Sequence, residues 1–229
     1  AIMIRPRLSI IIPAFNEMTT IAQLIAKVER LKIEKEIILI DNASTDGTRE
    51  WISAYPGPAI KILHEQNLGK GASVRDGLAS ASGEVAVIQD ADLEYDPDEL
   101  MALIKPIEEG RSAVVFGSRE LGGKKAGTIW IALGRDFLNG LTNLLFGSRI
   151  TDVATCYKMM HRDVYSRLNL SAAGFNLDFE ITARILAAGH AILEVPISYH
   201  PRTVAEGKKI RLRHGWACLW TLLKVRFGR

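Results

Sequence analysis

The pattern of apolar and polar positions changes period repeatedly along this chain. "LSIIIPAF" (8–15) is a short continuous apolar run that Pro13 would stop, which predicts a buried strand. Helical spacing follows, with Ile21, Leu24, Ile25, Val28 and Leu31 on one face, and Thr20 with Gln23 has the spacing of a capping box. "EIILIDN" (36–42) predicts a second strand, followed by the turn residues "ASTDGT" and a short helix around Trp51, Ile52 and Tyr55. "IKILHE" (60–65), "EVAVIQ" (84–89) and "AVVFGS" (113–118) predict further strands. "GKGASVRDGLASA" (69–81) and the capped "DPDELMALIKPI" (96–107) predict the helices between them. Strands alternating with helices in this way give an open, mostly parallel α/β sheet, with ligands bound beyond the carboxyl ends of its strands.

The last third has a different texture. Residues 128–148 carry Trp130, Leu133, Phe137, Leu141, Leu144 and Leu145 at helical spacing, "GFNLDFEITARILAAG" (174–189) predicts another helix, and "AILEVPISYHPR" (191–202) a strand that runs into a basic loop. The end is amphipathic, with Trp216, Leu219, Trp220, Leu223 and Phe227 flanked by Arg213, Lys224, Arg226 and Arg229, the composition of a helix lying in a membrane interface. No apolar run approaches the roughly 20 residues that span a bilayer, and the first residues lack a signal peptide's pattern.

Composition adds two points. Cys156 and Cys218, the only cysteines of 229 residues, have no zinc or redox spacing and fit free thiols in a reducing cytosol. The formal charge of +3 is unevenly spread: residues 200–229 hold eight Lys/Arg against Glu206, a surplus of +7 over a body of −4. Such a tail expects an anionic partner; nucleic acid, a phosphorylated substrate and a membrane surface all meet that description.

The chemistry concentrates at the predicted strand ends. "VAVIQDADLEYDP" (85–97) places Asp90, Asp92, Glu94 and Asp96 within seven positions. Like charges so close are costly unless something positive sits among them. Asp90 and Asp92, at i and i+2 after a strand, would point the same way and suit Mg²⁺ or Mn²⁺; a solvated loop leading to an Asp96 cap is the competing reading. "NLGKGAS" (67–73) is glycine-rich before a helix, where backbone N–H groups meet phosphate, but it matches neither the dinucleotide nor the P-loop fingerprint.

Taken together, "IIIPAFNE", "LIDNASTDGT", "NLGKGAS", "IQDADLEYDP", "FGSRE", "TDVATCYKMMHRDV", "EVPISYHPR" and "EGKKI" resemble, over residues 8–215, family 2 glycosyltransferases of the GT-A fold. More narrowly the chain is similar to polyprenyl-phosphate glycosyltransferases of the dolichol-phosphate mannose synthase type. The resemblance implies a catalytic domain over 1–215 and a basic amphipathic segment over 216–229. It further implies that Pro13, Phe15, Glu17, Asp41 and Asn42 hold the nucleoside, that Asp90, Ala91 and Asp92 contact the nucleotide sugar, and that Asp90, Asp92 and Glu94 bind Mg²⁺ or Mn²⁺. Arg119 would face the sugar or its phosphates, and Arg202, Lys208 and Lys209 the acceptor phosphate. Glu94 stands where several relatives carry Gln, and Asn42 where many carry Asp, which leaves the donor open between GDP- and UDP-hexose.

The expected reaction is inverting transfer of a mannose- or glucose-type hexose to a polyprenyl or dolichyl phosphate by a peripheral protein on the cytoplasmic membrane face. A phosphate acceptor arrives ionised and needs cations more than a base: Arg202, Lys208, Lys209, Arg211 and Arg213 would dock it. Asp152 and Glu180 are the candidate bases, with Asp152, Arg119 and Arg202 counted as the catalytic residues. A membrane-anchored partner or a homo-oligomer is compatible with this. The rival readings are the same fold acting on a saccharide or other soluble acceptor, and a non-catalytic nucleotide-binding subunit. The few aromatics among the basic residues, and the absence of an RNA or DNA motif, disfavour nucleic acid.

Overall fold

The computed structural model describes residues 7–123, 129–202 and 214–228. Seven strands form one sheet in the order β3-β2-β1-β4-β6-β5-β7. They are β1 (Leu8–Ala14), β2 (Lys35–Asp41), β3 (Ala59–Leu63), β4 (Val85–Ile88), β5 (Val114–Ser118), β6 (Lys158–His161) and β7 (Leu193–Pro196). Six run in one direction and β6 alone is antiparallel to its neighbours β4 and β5. The crossovers carry α1 (Ile21–Arg30), α2 (Thr48–Ala54), α3 (Lys70–Ser80) and α4 (Leu100–Glu108), the last entered through a single 3₁₀ turn at Pro97–Glu99 that Asp96 caps. One apolar layer packs Leu8, Ile10 and Ile12 against Leu24, Val28, Leu100 and Leu103; the other packs Ile11, Ile38 and Ile88 against Val74, Leu78, Leu177 and Ile181. Alternate residues of β1 thus feed opposite faces, as the pleat requires for a strand covered on both sides.

Two expectations are corrected. Pro13 does not stop β1 but lies inside it, opposite Ile40. The Ile11 carbonyl accepts from Gln89 N, so the N–H that Pro13 lacks would point toward β4, and the β1–β4 ladder ends there while β1–β2 continues. Thr20 makes no side-chain cap bond: its hydroxyl donates back to the Glu17 carbonyl and carboxylate, so no capping box forms with Gln23.

The final third builds α5 (Ile129–Phe146), α6 (Arg162–Tyr165), α7 (Leu177–Ala187) and α8 (His214–Phe227). Leu138, Phe179, Ala183, Cys218 and Leu222 form a third core where α5, α7 and α8 meet. Only one side of α8 is used this way. Trp216, Trp220 and Phe227 are 77%, 69% and 69% exposed, and Leu133, Phe137 and Leu144 of α5 are exposed with the same helical spacing. Both cysteines are free and buried. Among the described residues, no helix is long and apolar enough to cross a membrane.

The division of α8 into a packed and an open side has a direct consequence for stability. Replacing Trp216, Trp220 and Phe227 together by Ser should shift unfolding by no more than about 1 kcal/mol. Leu222→Ala, at a fully buried position, should cost about 2–4 kcal/mol. Urea or thermal melts check both, and loss of the cooperative transition in the triple variant would place those rings in the core.

Candidate active site

Where the β1–β4 ladder ends, the chain turns outward on both sides and a cleft of about 390 Å³ opens beyond the strand ends. Its wall includes Pro13, Phe15, Glu17, Asn42, Lys70, Asp90, Ala91, Asp92, Glu94, Arg119, Asp178, Tyr199 and Arg202. The turn after β4 depends on Leu93, which takes a left-handed backbone (φ 60°), an uncommon conformation for a branched residue and one often retained at functional sites. That reversal lets Asp92 accept the Glu94 N–H (3.1 Å) and brings three carboxylates to one edge.

They are compensated unequally. Asp90 accepts from Lys70 Nζ (2.7–2.8 Å) and from Cys156 Sγ (2.8 Å). Burial alone would lower the Lys70 pKa, but Asp90, Cys156 and Asp178 outweigh it and hold the ammonium charged. Burial pushes the Cys156 thiol up, and Asp90 adds to it, so the sulfur is a protonated donor. Glu94 is engaged at both oxygens, by Arg202 N (2.8 Å) and the Tyr199 hydroxyl (2.7 Å). Asp92 has no close cation: the Arg202 guanidinium stands 4.0 Å away and donates instead to the Asp92 carbonyl (3.1 Å) and to Glu17 (2.5 Å). Burial, then the charges of Asp90 and Glu94, push Asp92 up to about 7.

On the far side of the cleft Arg119 is held by Asp152. Arg119 Nε and Nη2 each donate at 2.7 Å, one to either carboxylate oxygen, and the Arg119 backbone N–H adds a third bond at 3.0 Å. Asp152 is fully buried; its own N–H and that of Thr151 donate to Glu194 on β7. The Arg119 guanidinium also lies 5.2 Å from the centre of the Tyr199 ring. Asp152 therefore orients a cation with both of its oxygens. Glu180, the other carboxylate expected as a base, is not on the cleft wall: it accepts from Ser171 and Ala172 N–H groups and pairs with Arg184 at 2.8 Å.

The residues assigned to the nucleoside separate in the same way. Asn42 lines the cleft with its amide fixed by Asn67 (3.0 Å), Leu68 N (2.9 Å) and His64 (3.2 Å). Asp41 is buried behind it, accepting from Ser44 N and Arg49 (3.2 Å), and holds the turn rather than the cleft surface. Lys208, Lys209, Arg211 and Arg213 lie outside the described residues.

The cleft residues missed as site residues include Lys70, Ser73, Cys156, Asp178 and Tyr199. Lys70 and Ser73 are in the quoted glycine-rich stretch, whose signal pointed to backbone N–H groups and not to its side chains. Asp178 is two residues from Glu180, and a helix register placing one carboxylate inward would have selected it.

The family model described as "Glycosyl transferase family 2" matches residues 9–168. The chain belongs to that family. The family 2 chain is 27% identical to the undecaprenyl-phosphate mannosyltransferase of Micrococcus luteus, covering 97% of this chain and 99% of that one. It is 28% identical to the dolichol-phosphate mannosyltransferase of Pyrococcus furiosus over 88% of this chain but 59% of the relative. The polyprenol monophosphomannose synthase of Mycolicibacterium smegmatis is 26% identical, with 90% and 82% covered. Among solved structures, glucosyl-3-phosphoglycerate synthase from Mycobacterium tuberculosis with UDP superposes with a TM-score of 0.74 at 20% identity, over 96% of this chain and 80% of that one. The same enzyme with Mn²⁺, UDP-glucose and phosphoglyceric acid gives 0.71 at 18% identity, over 96% and 79%. The fold is the GT-A fold expected from the sequence, and the protein is a glycosyltransferase.

The Arg119–Asp152 pair of this family 2 domain makes a testable demand. Removing one partner of a buried ion pair leaves an uncompensated charge, so Asp152→Asn should cost about 3–5 kcal/mol in a urea melt. A carboxylate poised in the cleft as a base would be expendable for folding, and a wild-type melt for Asp152→Asn would contradict the pairing.

Proposed function

We propose that this glycosyltransferase moves a hexose, with inversion, from a nucleoside diphosphate donor to a polyprenyl phosphate at a membrane surface. The observation that carries the reading is the pair of guanidinium groups on the cleft wall, Arg119 held by Asp152 and Arg202 beside Asp92. An ionised acceptor is held by such cations through charge-assisted bonds. The relatives named for polyprenyl and dolichyl phosphates support it, as do the exposed rings of α8 and α5, which suit an interface where the lipid resides.

Pro13, Phe15, Glu17 and Asn42 would receive the nucleoside, with Asp41 supporting Asn42 from behind. The acceptor's phosphate oxygen attacks the anomeric carbon from the face opposite the diphosphate. The bond from that carbon to the diphosphate oxygen breaks, and its electron pair leaves with the nucleoside diphosphate. No proton need move, because a phosphate monoester with a second pKa of about 6 is already mostly ionised. Arg119, fixed by Asp152, and Arg202 hold the charge of the incoming phosphate, and Lys208 and Lys209 would extend that positive rim.

The donor set suits Mg²⁺ or Mn²⁺. Asp92 is half-buried beside Asp90 and Glu94, and the Arg202 guanidinium 4.0 Å away makes no hydrogen bond to its carboxylate. Among the described residues no three acidic, His or Cys side chains are gathered as a ready cage. These ions nevertheless bind through one or two carboxylates together with substrate phosphates and water. Asp92 would be the main ligand, with Asp90 and Glu94 beside it, and a bound ion would act as a Lewis acid for the departing diphosphate.

The deciding assay supplies Mn²⁺, labelled GDP- and UDP-hexoses, and a short polyprenyl phosphate or the corresponding alcohol, and reads organic-extractable label. Label on the phosphate alone is expected. It should be lost in EDTA and reduced at least about 100-fold in Asp92→Asn, whose melt should remain normal. The α8 triple Ser variant should bind anionic liposomes more weakly. Better transfer to the alcohol or to a soluble sugar would overturn the phosphate assignment.

A further inference from the structure

A buried histidine that the proposed chemistry does not use stands directly behind the cleft wall. His64, the residue after β3, is 8% exposed, and its ring bridges two side chains. Nδ1 lies 3.2 Å from Asn42 Oδ1, and Nε2 lies 2.9 Å from the Asp76 carboxylate on α3. The His64 backbone N–H donates to the Asp41 carbonyl (2.9 Å), which holds the ring at the strand end.

The neighbours decide where the hydrogens are. Leu68 N is a donor and sits 2.9 Å from Asn42 Oδ1, so that atom is the oxygen of the amide and not its nitrogen. Asn42 Nδ2 then donates to Asn67 Oδ1 (3.0 Å), which Gly69 N independently marks as an oxygen (3.0 Å). Facing an acceptor, His64 Nδ1 must carry a hydrogen. Facing a carboxylate, Nε2 must carry one as well. A neutral ring has a single N–H, and either tautomer would turn a bare nitrogen toward an oxygen lone pair. The ring is therefore an imidazolium paired with Asp76. Arg49 on α2 meets the His64 carbonyl (2.6 Å) and is itself paired with Asp41 and Glu65.

These bonds limit what Asn42 can offer a ligand. Both lone pairs of its Oδ1 are taken, by Leu68 N and by the imidazolium, and Asn67 takes one hydrogen of Nδ2. What remains is the second amide N–H, a donor that suits a carbonyl oxygen. An aspartate in this place would offer acceptors only.

We propose that His64, as an imidazolium held by Asp76, is a positioning residue for nucleoside recognition. It locks Asn42 so that an amide N–H, and not an oxygen, is presented to a carbonyl of the base. This rests on Asn42 receiving the donor's nucleoside, and it gives a role to His64 and Asp76, neither of which lines the cleft.

The test measures binding of UDP, GDP and inorganic pyrophosphate, each with Mn²⁺, by calorimetry on variants that keep one ring contact each. His64→Asn puts an amide nitrogen where Nδ1 was and keeps the donation to Asn42. His64→Gln reaches Asp76 instead and leaves Asn42 Oδ1 short of a donor. The better-bound nucleotide should weaken about tenfold in His64→Gln and by less than about threefold in His64→Asn, with pyrophosphate unchanged in both. In ¹⁵N-histidine-labelled protein, both ring nitrogens of His64 should show protonated shifts at neutral pH, and one should lose its proton in Asp76→Asn. Equal nucleotide losses in the two His64 variants, or a matching loss of pyrophosphate, would make His64 a structural group and overturn the proposal. So would a neutral ring in the wild-type spectrum, which decides the protonation state even if a variant fails to fold. A wild type that binds pyrophosphate but neither nucleotide would instead refute the donor reading on which the proposal rests.

Discussion

Negative charge gathered at the edge of a sheet, out of bulk water, must be answered by positive charge, and in this protein the answer is unequal. Asp90 has Lys70 at hydrogen-bonding distance, Glu94 is tied to the 199–202 segment, and Glu17 has Arg202. Asp92 is left with a guanidinium 4.0 Å away. The elements around the cleft are arranged by these pairings. The start of α3 is held near β4 through Lys70 and the segment after β7 is drawn over the cleft through Glu94, while the Asp92 carboxylate receives no hydrogen bond from a described cation.

A second ion pair does a separate job on the other wall. Arg119 and Asp152 are 33 residues apart, and their bidentate contact, backed by Glu194, fixes a guanidinium in an orientation that a flexible cation would adopt only at an entropic cost. A carboxylate expected as a base is thereby spent on positioning. The cleft wall thus carries two oriented guanidinium groups, Arg119 held by Asp152 and Arg202 held by Glu17.

The alternation of apolar runs with helical spacing was enough to read six strands and most helices, since each was long or periodic enough to stand out. β6 was not legible. It is four residues, Lys158–His161, and it begins with a lysine that sequence reasoning sends to the surface; the carbonyls of Val153 and Thr155, the Asp178 carboxylate and the face of the Phe116 ring make its burial tolerable. Pro13 read as a stop because its missing donor is costly within a sheet, but a neighbouring strand that ends at the same level removes the cost. For the site, the cluster at Asp90, Asp92 and Glu94 was visible because its members are adjacent in sequence. Which oxygens are already engaged was not, because Lys70, Cys156, Tyr199 and Arg202 reach them from 20 to 110 residues away.

We propose that Asp92, whose carboxylate receives no hydrogen bond from a described cation, is where a divalent cation binds. Its folded-state value near 7 lies above the ordinary aspartate value of about 4, so without a cation it costs the fold stability as pH rises from about 4 to about 7, where the unfolded chain has already released the proton. A cation must displace that proton. Mn²⁺ affinity, measured by titration without nucleotide, should therefore be about tenfold tighter at pH 8 than at pH 6, since Asp92 passes from mostly protonated to mostly ionised between them. Equal affinity at the two pH values would contradict the account.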